Sequence, residues 1–142
     1  MKSALIALLA FCLCWGVGCS KNLSEFQKTK AMAMLGDASA QGYLATMYYY
    51  GLGVEKDFKE AAKWQRKAAD QGWKVAQLNL GYMYANGHGV EQDFKEAAKW
   101  NRKAADQGLA DAQHLLGVAY DDGQGVKQDF KEAVQWYRKA AD

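Results

Sequence analysis

The chain alternates two helical patterns of apolar and polar positions, and the pair recurs every 36 residues. The first pattern places Ala, Leu and Tyr at i, i+4 and i+8, which is one face of an α-helix. Its three copies are Ala40, Leu44 and Tyr48, then Ala76, Leu80 and Tyr84, and then Ala112, Leu116 and Tyr120. A small residue follows each leucine, at Ala45, Gly81 and Gly117. Because glycine is unfavourable inside a helix, these positions predict that a neighbouring helix backbone passes close by.

The second pattern is an amphipathic helix with an apolar stripe rich in alanine and tryptophan. In the first copy the stripe consists of Phe58, Ala61, Ala62, Trp64, Ala68 and Ala69. Asp57, Asp93 and Asp129 begin the three copies, and a Glu three residues later predicts an N-cap within a capping box. Gly72 and Gly108 predict helix ends with positive φ.

Most prominent residues of this second helix recur at the same position in each copy, which identifies them as structural. Residues 57–72 and 93–108 differ at a single position, where Gln65 becomes Asn101. Trp64, Trp100 and Trp136 recur on the alanine stripe, which favours packing between repeats over an aromatic ligand box.

Glycine turns at 51–54, 87–90 and 123–126 join the two helices of each copy. Two glycines allow positive φ in a short connection, and the valine that follows them can pack back onto the core. The pattern therefore predicts helix-turn-helix units at residues 37–72, 73–108 and 109–142, preceded at 19–36 by a linker and a degenerate capping helix. A fixed period of this length is typical of an all-α solenoid.

One composite pattern, AxxxLGxxYxxGxGVxxDxxxAxxWxxKAAxxG, runs through the second copy. Its positions are Ala76, Leu80, Gly81, Tyr84, Gly87, Gly89, Val90, Asp93, Ala97, Trp100, Lys103, Ala104, Ala105 and Gly108. The composite resembles the Sel-one-like repeat, a relative of the tetratricopeptide repeat, over nearly all of residues 37–142. This resemblance implies a right-handed α-solenoid that serves as an adaptor or scaffold through a concave groove. Some secreted bacterial members crosslink each repeat through a cysteine pair, whereas no cysteine follows Cys19 here.

The first 18 residues do not follow the repeat and predict a signal peptide for export. Lys2 is followed by an uncharged run at 4–18, which suits a secretory signal but is short for a membrane-spanning helix. The sequence GVGCS resembles the lipobox of bacterial lipoproteins, with Cys19 as the acylated residue, although Gly16 stands where that class prefers Leu. Cleavage by ordinary signal peptidase near Gly18 or Cys19 is the alternative.

Acylation would explain why Cys19 is the single cysteine left after residues 1–18 are removed. More than one acyl chain would anchor the protein stably to a membrane. The expected location is the cell envelope of a bacterium, at the periplasmic face of the outer membrane, or the exterior if the protein is secreted in soluble form. Ser20 favours the outer membrane by resemblance to that class.

Composition and motifs point away from nucleic acid, metal and catalysis. The net charge is +2 with both signs interspersed, which does not form the basic stripe of a nucleic-acid-binding protein. His88 and His114 lack metal-ligand spacing, and Asp121, Asp122 and Asp129 do not follow the order of an EF-hand loop. The glycine turns lack the strand of a dinucleotide site, and no serine has a nucleophile motif. The prediction is a non-enzyme without cofactor or metal.

Function is expected where the repeats differ. On the first helix three positions change from copy to copy, at i, i+3 and i+7, beside the Ala/Leu/Tyr face. We call their nine residues the variable face: Tyr43, Thr46, Tyr50, Asn79, Tyr82, Asn86, Leu115, Val118 and Asp122. In tetratricopeptide-like solenoids the first helix lines the groove, so the variable face is a candidate surface for a protein or peptide partner. Plain solvent exposure is the alternative.

These observations predict an exported, lipid-anchored, monomeric scaffold for protein-protein interaction. Two alternatives stay open. One is a secreted repeat protein that modulates cell-wall or antibiotic-degrading enzymes, in line with the β-lactamase-like name used in this family. The other is a structural spacer or a piece of a longer array.

Overall fold

The computed structural model describes residues 23–141, which form seven α-helices and contain no strand. The helices are α1 (Glu25–Met34), α2 (Ala38–Tyr50), α3 (Phe58–Asp70), α4 (Lys74–Asn86), α5 (Phe94–Asp106), α6 (Ala110–Asp122) and α7 (Phe130–Ala141). Each helix packs mainly against the helices before and after it in the chain. The predicted all-α helical solenoid is confirmed. Between residues 23 and 141, no helix is both long and apolar enough to cross a membrane. Cys19 and the predicted signal peptide lie outside the described residues.

Local sequence accounts for where α3, α5 and α7 begin. Oδ1 of Asp57 accepts hydrogen bonds from the backbone N–H groups of Lys59 and Glu60, at 2.8 and 3.0 Å. Asp93 and Asp129 make the same pair of bonds. The predicted N-caps are therefore confirmed.

The reciprocal half of the capping box is not formed at Asp57. The backbone N–H of Asp57 instead donates to the carbonyl of Tyr48, at 2.9 Å. Glu60 is thus released to accept from Lys63 and from the indole of Trp64. The prediction of a full box was wrong because the preceding helix satisfies the donor that Glu60 would have capped. Ser24, at the start of α1, does form a complete box with Gln27.

Positive φ at the turn glycines is confirmed, and two of these glycines also mark a close contact between repeats. Gly89 has φ +73°, and a Cβ built there would lie 1.9 Å from the carbonyl oxygen of Phe58. Gly125 stands in the same relation to Phe94. The second glycine of the turn therefore serves twice, since it permits the left-handed backbone and lets the turn contact the start of α3 or α5. We call α3, α5 and α7, the second helix of each repeat, the outer helices, and α2, α4 and α6 the inner helices.

The core is a series of similar clusters, one for each repeat. Leu44, Leu80 and Leu116 are completely buried, and each packs with a buried tryptophan of its own repeat. Trp100, for example, contacts Leu80 and also Ala68 and Ala69 of the previous outer helix. The predicted packing role of the tryptophans between repeats is confirmed.

Buried glutamines connect successive repeats. Nε2 of Gln77 donates to the carbonyl of Ala69 at 3.2 Å, and Oε1 of Gln77 accepts from Gln107 at 2.8 Å. Gln41 and Gln71 form the equivalent bond one repeat earlier, at 2.7 Å. These side chains join an inner helix to the outer helices on both sides of it.

The small residues after the leucines make room chiefly for side chains. A Cβ at Gly81 would lie 2.2 Å from Oδ1 of Asn101, and a Cβ at Gly117 would lie 2.6 Å from Cε1 of Tyr137. The nearest backbone atom at Gly81 is the carbonyl oxygen of Ala97, at 3.2 Å. The prediction of a close neighbouring backbone was therefore only partly right, since a side chain of the facing helix lies closer than its backbone.

Candidate functional site

A cavity of about 140 Å³ lies where α2, α3 and α4 meet. Four residues of the variable face line it: Thr46, Tyr50, Asn79 and Tyr82. The first two come from α2 and the last two from α4. Repeat stacking thus brings together residues that are 29 to 36 positions apart in the chain.

Five further residues complete the cavity wall: Ala45, Tyr49, Ala61, Gln65 and Met83. The sequence analysis did not identify them as site residues. Four of them could have been found by the same rule, because the positions of Ala45, Tyr49, Gln65 and Met83 also differ between copies. Tyr49 corresponds to Ala85 and Asp121, and Gln65 corresponds to Asn101 and Tyr137.

Gln65 is the most deeply placed polar group of this cavity wall. Its side chain is 1% exposed. Among residues 23–141, its Nε2 atom has no hydrogen-bond partner. A buried amide donor without a partner is costly. Within the same range, Oδ1 of Asn101, its counterpart in the second repeat, and the indole nitrogens of Trp100 and Trp136 are also without a partner, and of these four residues Gln65 is the one that lines the cavity.

An aromatic cluster lies on the side of the cavity toward the turn at 87–90, and Tyr49, Tyr50 and Tyr82 are its members in the cavity wall. Tyr49 is at its centre, with ring centroids 4.9 Å from Tyr50, 4.9 Å from Phe58 and 5.7 Å from His88. The Tyr82 ring lies 5.9 Å from His88. His88 lies outside the cavity lining and packs against the rings of Tyr49, Phe58 and Tyr82.

The cavity itself is uncharged. None of its nine lining residues carries an ionisable group that is charged at neutral pH. Burial raises the pKa of Tyr49 above its ordinary value, and the neighbouring Tyr82 adds to this effect. The Tyr49 hydroxyl is accordingly protonated at neutral pH.

The remaining residues of the variable face lie outside the cavity. Tyr43 is 64% exposed, and its ring centroid is 6.3 Å from that of Trp73. Asn86, Leu115 and Asp122 are exposed, and Val118 is half-buried. The structure therefore divides the predicted stripe into a cavity at the first repeat junction and an open surface beyond it.

The open surface becomes acidic toward α6. Asp121 and Asp122 end that helix, close to Tyr137 of α7. Burial raises the pKa of the Tyr137 hydroxyl, and the charges of Asp121 and Asp122 raise it further. Within the described part of the chain, no group of His, Cys, Asp and Glu residues is arranged to hold a metal ion.

The model of the Sel1 repeat matches four segments of the chain, at residues 4–25, 29–73, 74–109 and 110–142. The first of these overlaps the run predicted to be a signal peptide. No curated protein matches the chain significantly.

Solved structures with the same architecture include two bacterial proteins of more than 40% identity. One is the uropathogenic Escherichia coli protein c5321, described as a protective antigen displaying an SLR fold. It is 44% identical with a TM-score of 0.81, over 84% of this chain and 26% of that one. The chain thus spans about a quarter of the length of this relative. The other is a Sel1 repeat protein from Oxalobacter formigenes, 42% identical with a TM-score of 0.76, over 84% of this chain and 90% of that one.

A third structure, the Helicobacter pylori cysteine rich protein B, is 22% identical with a TM-score of 0.65 and shows the fold alone. It matches over 83% of this chain and 90% of its own. The family model covers far more than half of the sequence, and its repeats coincide with the helix pairs α2/α3, α4/α5 and α6/α7. The chain therefore belongs to the Sel1 repeat family.

Proposed function

We propose that this protein is an exported, lipid-anchored scaffold that binds a protein partner through its variable face. The cavity between α2, α3 and α4 carries the proposal, because it gathers residues that differ between repeats and contains a buried donor without a partner. Tyrosine and asparagine side chains on a preformed surface suit the gripping of a peptide segment at low ordering cost.

Binding without catalysis is the activity that fits these residues. The cavity wall contains no carboxylate, histidine or cysteine that could act as acid, base or nucleophile. A purely structural spacer would have no need for variable residues that converge on one cavity.

Export and anchoring rest on the run at 4–18 and on Cys19. The E. coli relative is described as a protective antigen, and this description supports an envelope or external location for this protein also. Acylation would keep the scaffold near the membrane and raise its effective concentration toward envelope partners.

Capture from envelope extracts tests the binding function. A Tyr50→Ala/Tyr82→Ala variant should lose a protein that the wild type retains. A Phe130→Ala variant, which removes an aromatic ring that is 62% exposed outside the variable face, should retain it. The captured protein is then purified and its affinity measured by calorimetry. Equal affinity for the wild type and the double variant would contradict the proposal.

Mass spectrometry of the mature N-terminus tests the anchor. The expected product begins at Cys19 and carries acyl chains, and a Cys19→Ser variant should move from the membrane to the soluble fraction. An unmodified terminus, or a chain that retains residues 1–18, would contradict lipid anchoring. The binding proposal would be unaffected by that result.

A further inference from the structure

The depth of Gln65 indicates what kind of group enters the cavity. Its side chain is only 1% exposed, whereas Tyr50 and Tyr82 at the cavity wall are 67% and 50% exposed. A peptide backbone lying on the variable face would remain near these tyrosines. A group that reaches the Gln65 amide must therefore be the tip of a side chain that projects into the cavity.

The charge and size of the cavity restrict that side chain. With no ionised group in the wall, a charged tip would lose its hydration without a counter-ion, which is strongly unfavourable. A dry cavity of roughly 150 Å³ is known to accommodate a benzene ring, so the volume of about 140 Å³ suits one aromatic ring. The surrounding tyrosine rings at Tyr49, Tyr50 and Tyr82 favour an aromatic guest through edge-to-face contacts.

The tip must also hydrogen bond with the amide of Gln65. A phenolic hydroxyl both accepts and donates, so it can bond with either end of the Gln65 amide while the ring fills the cavity. Phenylalanine would fill the same space and leave Nε2 without a partner, which is the more costly outcome.

The third repeat shows a phenol in the corresponding place. Tyr137 occupies the position on α7 that Gln65 has on α3, and its ring lies directly against Gly117 of α6. The first repeat has Ala45 in place of Gly117 and the shorter Gln65 in place of Tyr137. A phenol that enters the first repeat must therefore fit beside the Ala45 methyl group, which lines the cavity.

We infer that the cavity between α2, α3 and α4 is a binding site for a tyrosine side chain of the partner protein, with Gln65 as the residue that recognises the hydroxyl. The inference rests on the proposed binding function and adds the chemistry of the occupant. Since the site is neutral, it also discriminates against phosphotyrosine.

Titration of the isotopically labelled full chain with N-acetyl-tyrosine amide tests the inference. We expect the side-chain amide signals of Gln65, and the backbone signals of Thr46 and Tyr82, to shift with one common affinity. N-acetyl-phenylalanine amide should bind about five-fold more weakly, which corresponds to one hydrogen bond. The phosphotyrosine and glutamine derivatives should bind more weakly still.

A Gln65→Met variant supplies the matched control. Methionine approximates the shape of glutamine and removes an unpartnered buried amide, so the fold should be retained. In this variant the preference for tyrosine over phenylalanine should disappear. Spectra that disperse like those of the wild type verify that the variant is folded.

Three results would overturn the inference: no shift at Gln65 with the tyrosine derivative, equal affinity for the phenylalanine derivative in the wild type, or tighter binding of the glutamine or phosphotyrosine derivative. These failures are distinguishable from failure of the scaffold function. If envelope capture depends on Tyr50 and Tyr82 while the tyrosine derivative does not bind, the surface is functional and only its occupant was misassigned.

Discussion

The hydroxyl of Tyr49 lies 2.7 Å from Nδ1 of His88, a residue 39 positions further along the chain. This hydrogen bond connects the last turn of α2 with the glycine turn of the next repeat. It also fixes the ring that forms one wall of the cavity. Several consequences for stability can be measured at this repeat junction and the next.

Removing the Tyr49 hydroxyl should cost about 1 kcal/mol of unfolding free energy, the usual value of one hydrogen bond. Tyr49→Phe keeps the ring and its contacts with Tyr50 and Phe58, so the bond to His88 is the main loss. Urea denaturation followed by circular dichroism measures the change. Tyr50→Phe is the matched control and should stay within about 0.5 kcal/mol of the wild type, because Tyr50 is 67% exposed. Equal destabilisation by both substitutions would contradict the role of His88.

Gly89→Ala should destabilise the protein more than Gly53→Ala. Both glycines have positive φ, +73° and +69°, so both alanines carry similar backbone strain. At Gly89 the new Cβ would also meet the carbonyl oxygen of Phe58 at 1.9 Å, whereas at Gly53 the nearest atom is 3.6 Å away. We expect a difference of at least about 2 kcal/mol in unfolding free energy. Similar values for the two variants would show that the close contact between repeats is unimportant.

Gln77→Met should cost about 2 kcal/mol, since it removes two hydrogen bonds that connect three helices. These are the bonds to the carbonyl of Ala69 and from the side chain of Gln107. Gln92→Met removes a single, solvent-exposed bond to Ala85 and should cost less than half as much. Thermal unfolding of both variants measures the stability that each loses. A larger loss for Gln92→Met than for Gln77→Met would refute the proposed role of the buried glutamines.

Stability should fall at alkaline pH partly through Tyr49. Burial and Tyr82 raise the pKa of Tyr49 above the ordinary value of 10.0. Because the folded protein binds this proton more tightly than the unfolded chain does, Tyr49 contributes fully to the unfolding free energy below pH 10. The protein loses that contribution as the pH rises through the folded-state pKa. The unfolding free energy of the wild type should therefore decline more steeply above pH 10 than that of Tyr49→Phe. Parallel curves in urea titrations at stepped pH would contradict this.

Local features of the fold were predictable because they depend on residues close together in the chain. Asp57 caps its own helix, and the turn glycines adopt positive φ, as their neighbours require. The capping box at Asp57 failed for a non-local reason. Its backbone N–H is already bonded to Tyr48 of the preceding helix, and this pairing depends on how the two helices pack.

The candidate site was predictable in outline. Comparison of the repeats identified Thr46, Tyr50, Asn79 and Tyr82, which line the cavity. It missed Gln65, although Gln65 and Asn101 form the single difference between residues 57–72 and 93–108. The second helix was interpreted as structural in full, so the position of Gln65 was not considered as part of a site.

The sequence by itself determined the period, the two helix types, their caps and their turns, because these follow from short-range spacing and backbone preference. Only the tertiary structure decided which variable residues share a site. Packing of α2, α3 and α4 brings Gln65 to the bottom of a cavity and leaves Tyr43 and Asp122 on open surface. The physical reason is that burial and the loss of a hydrogen-bond partner are properties of three helices together.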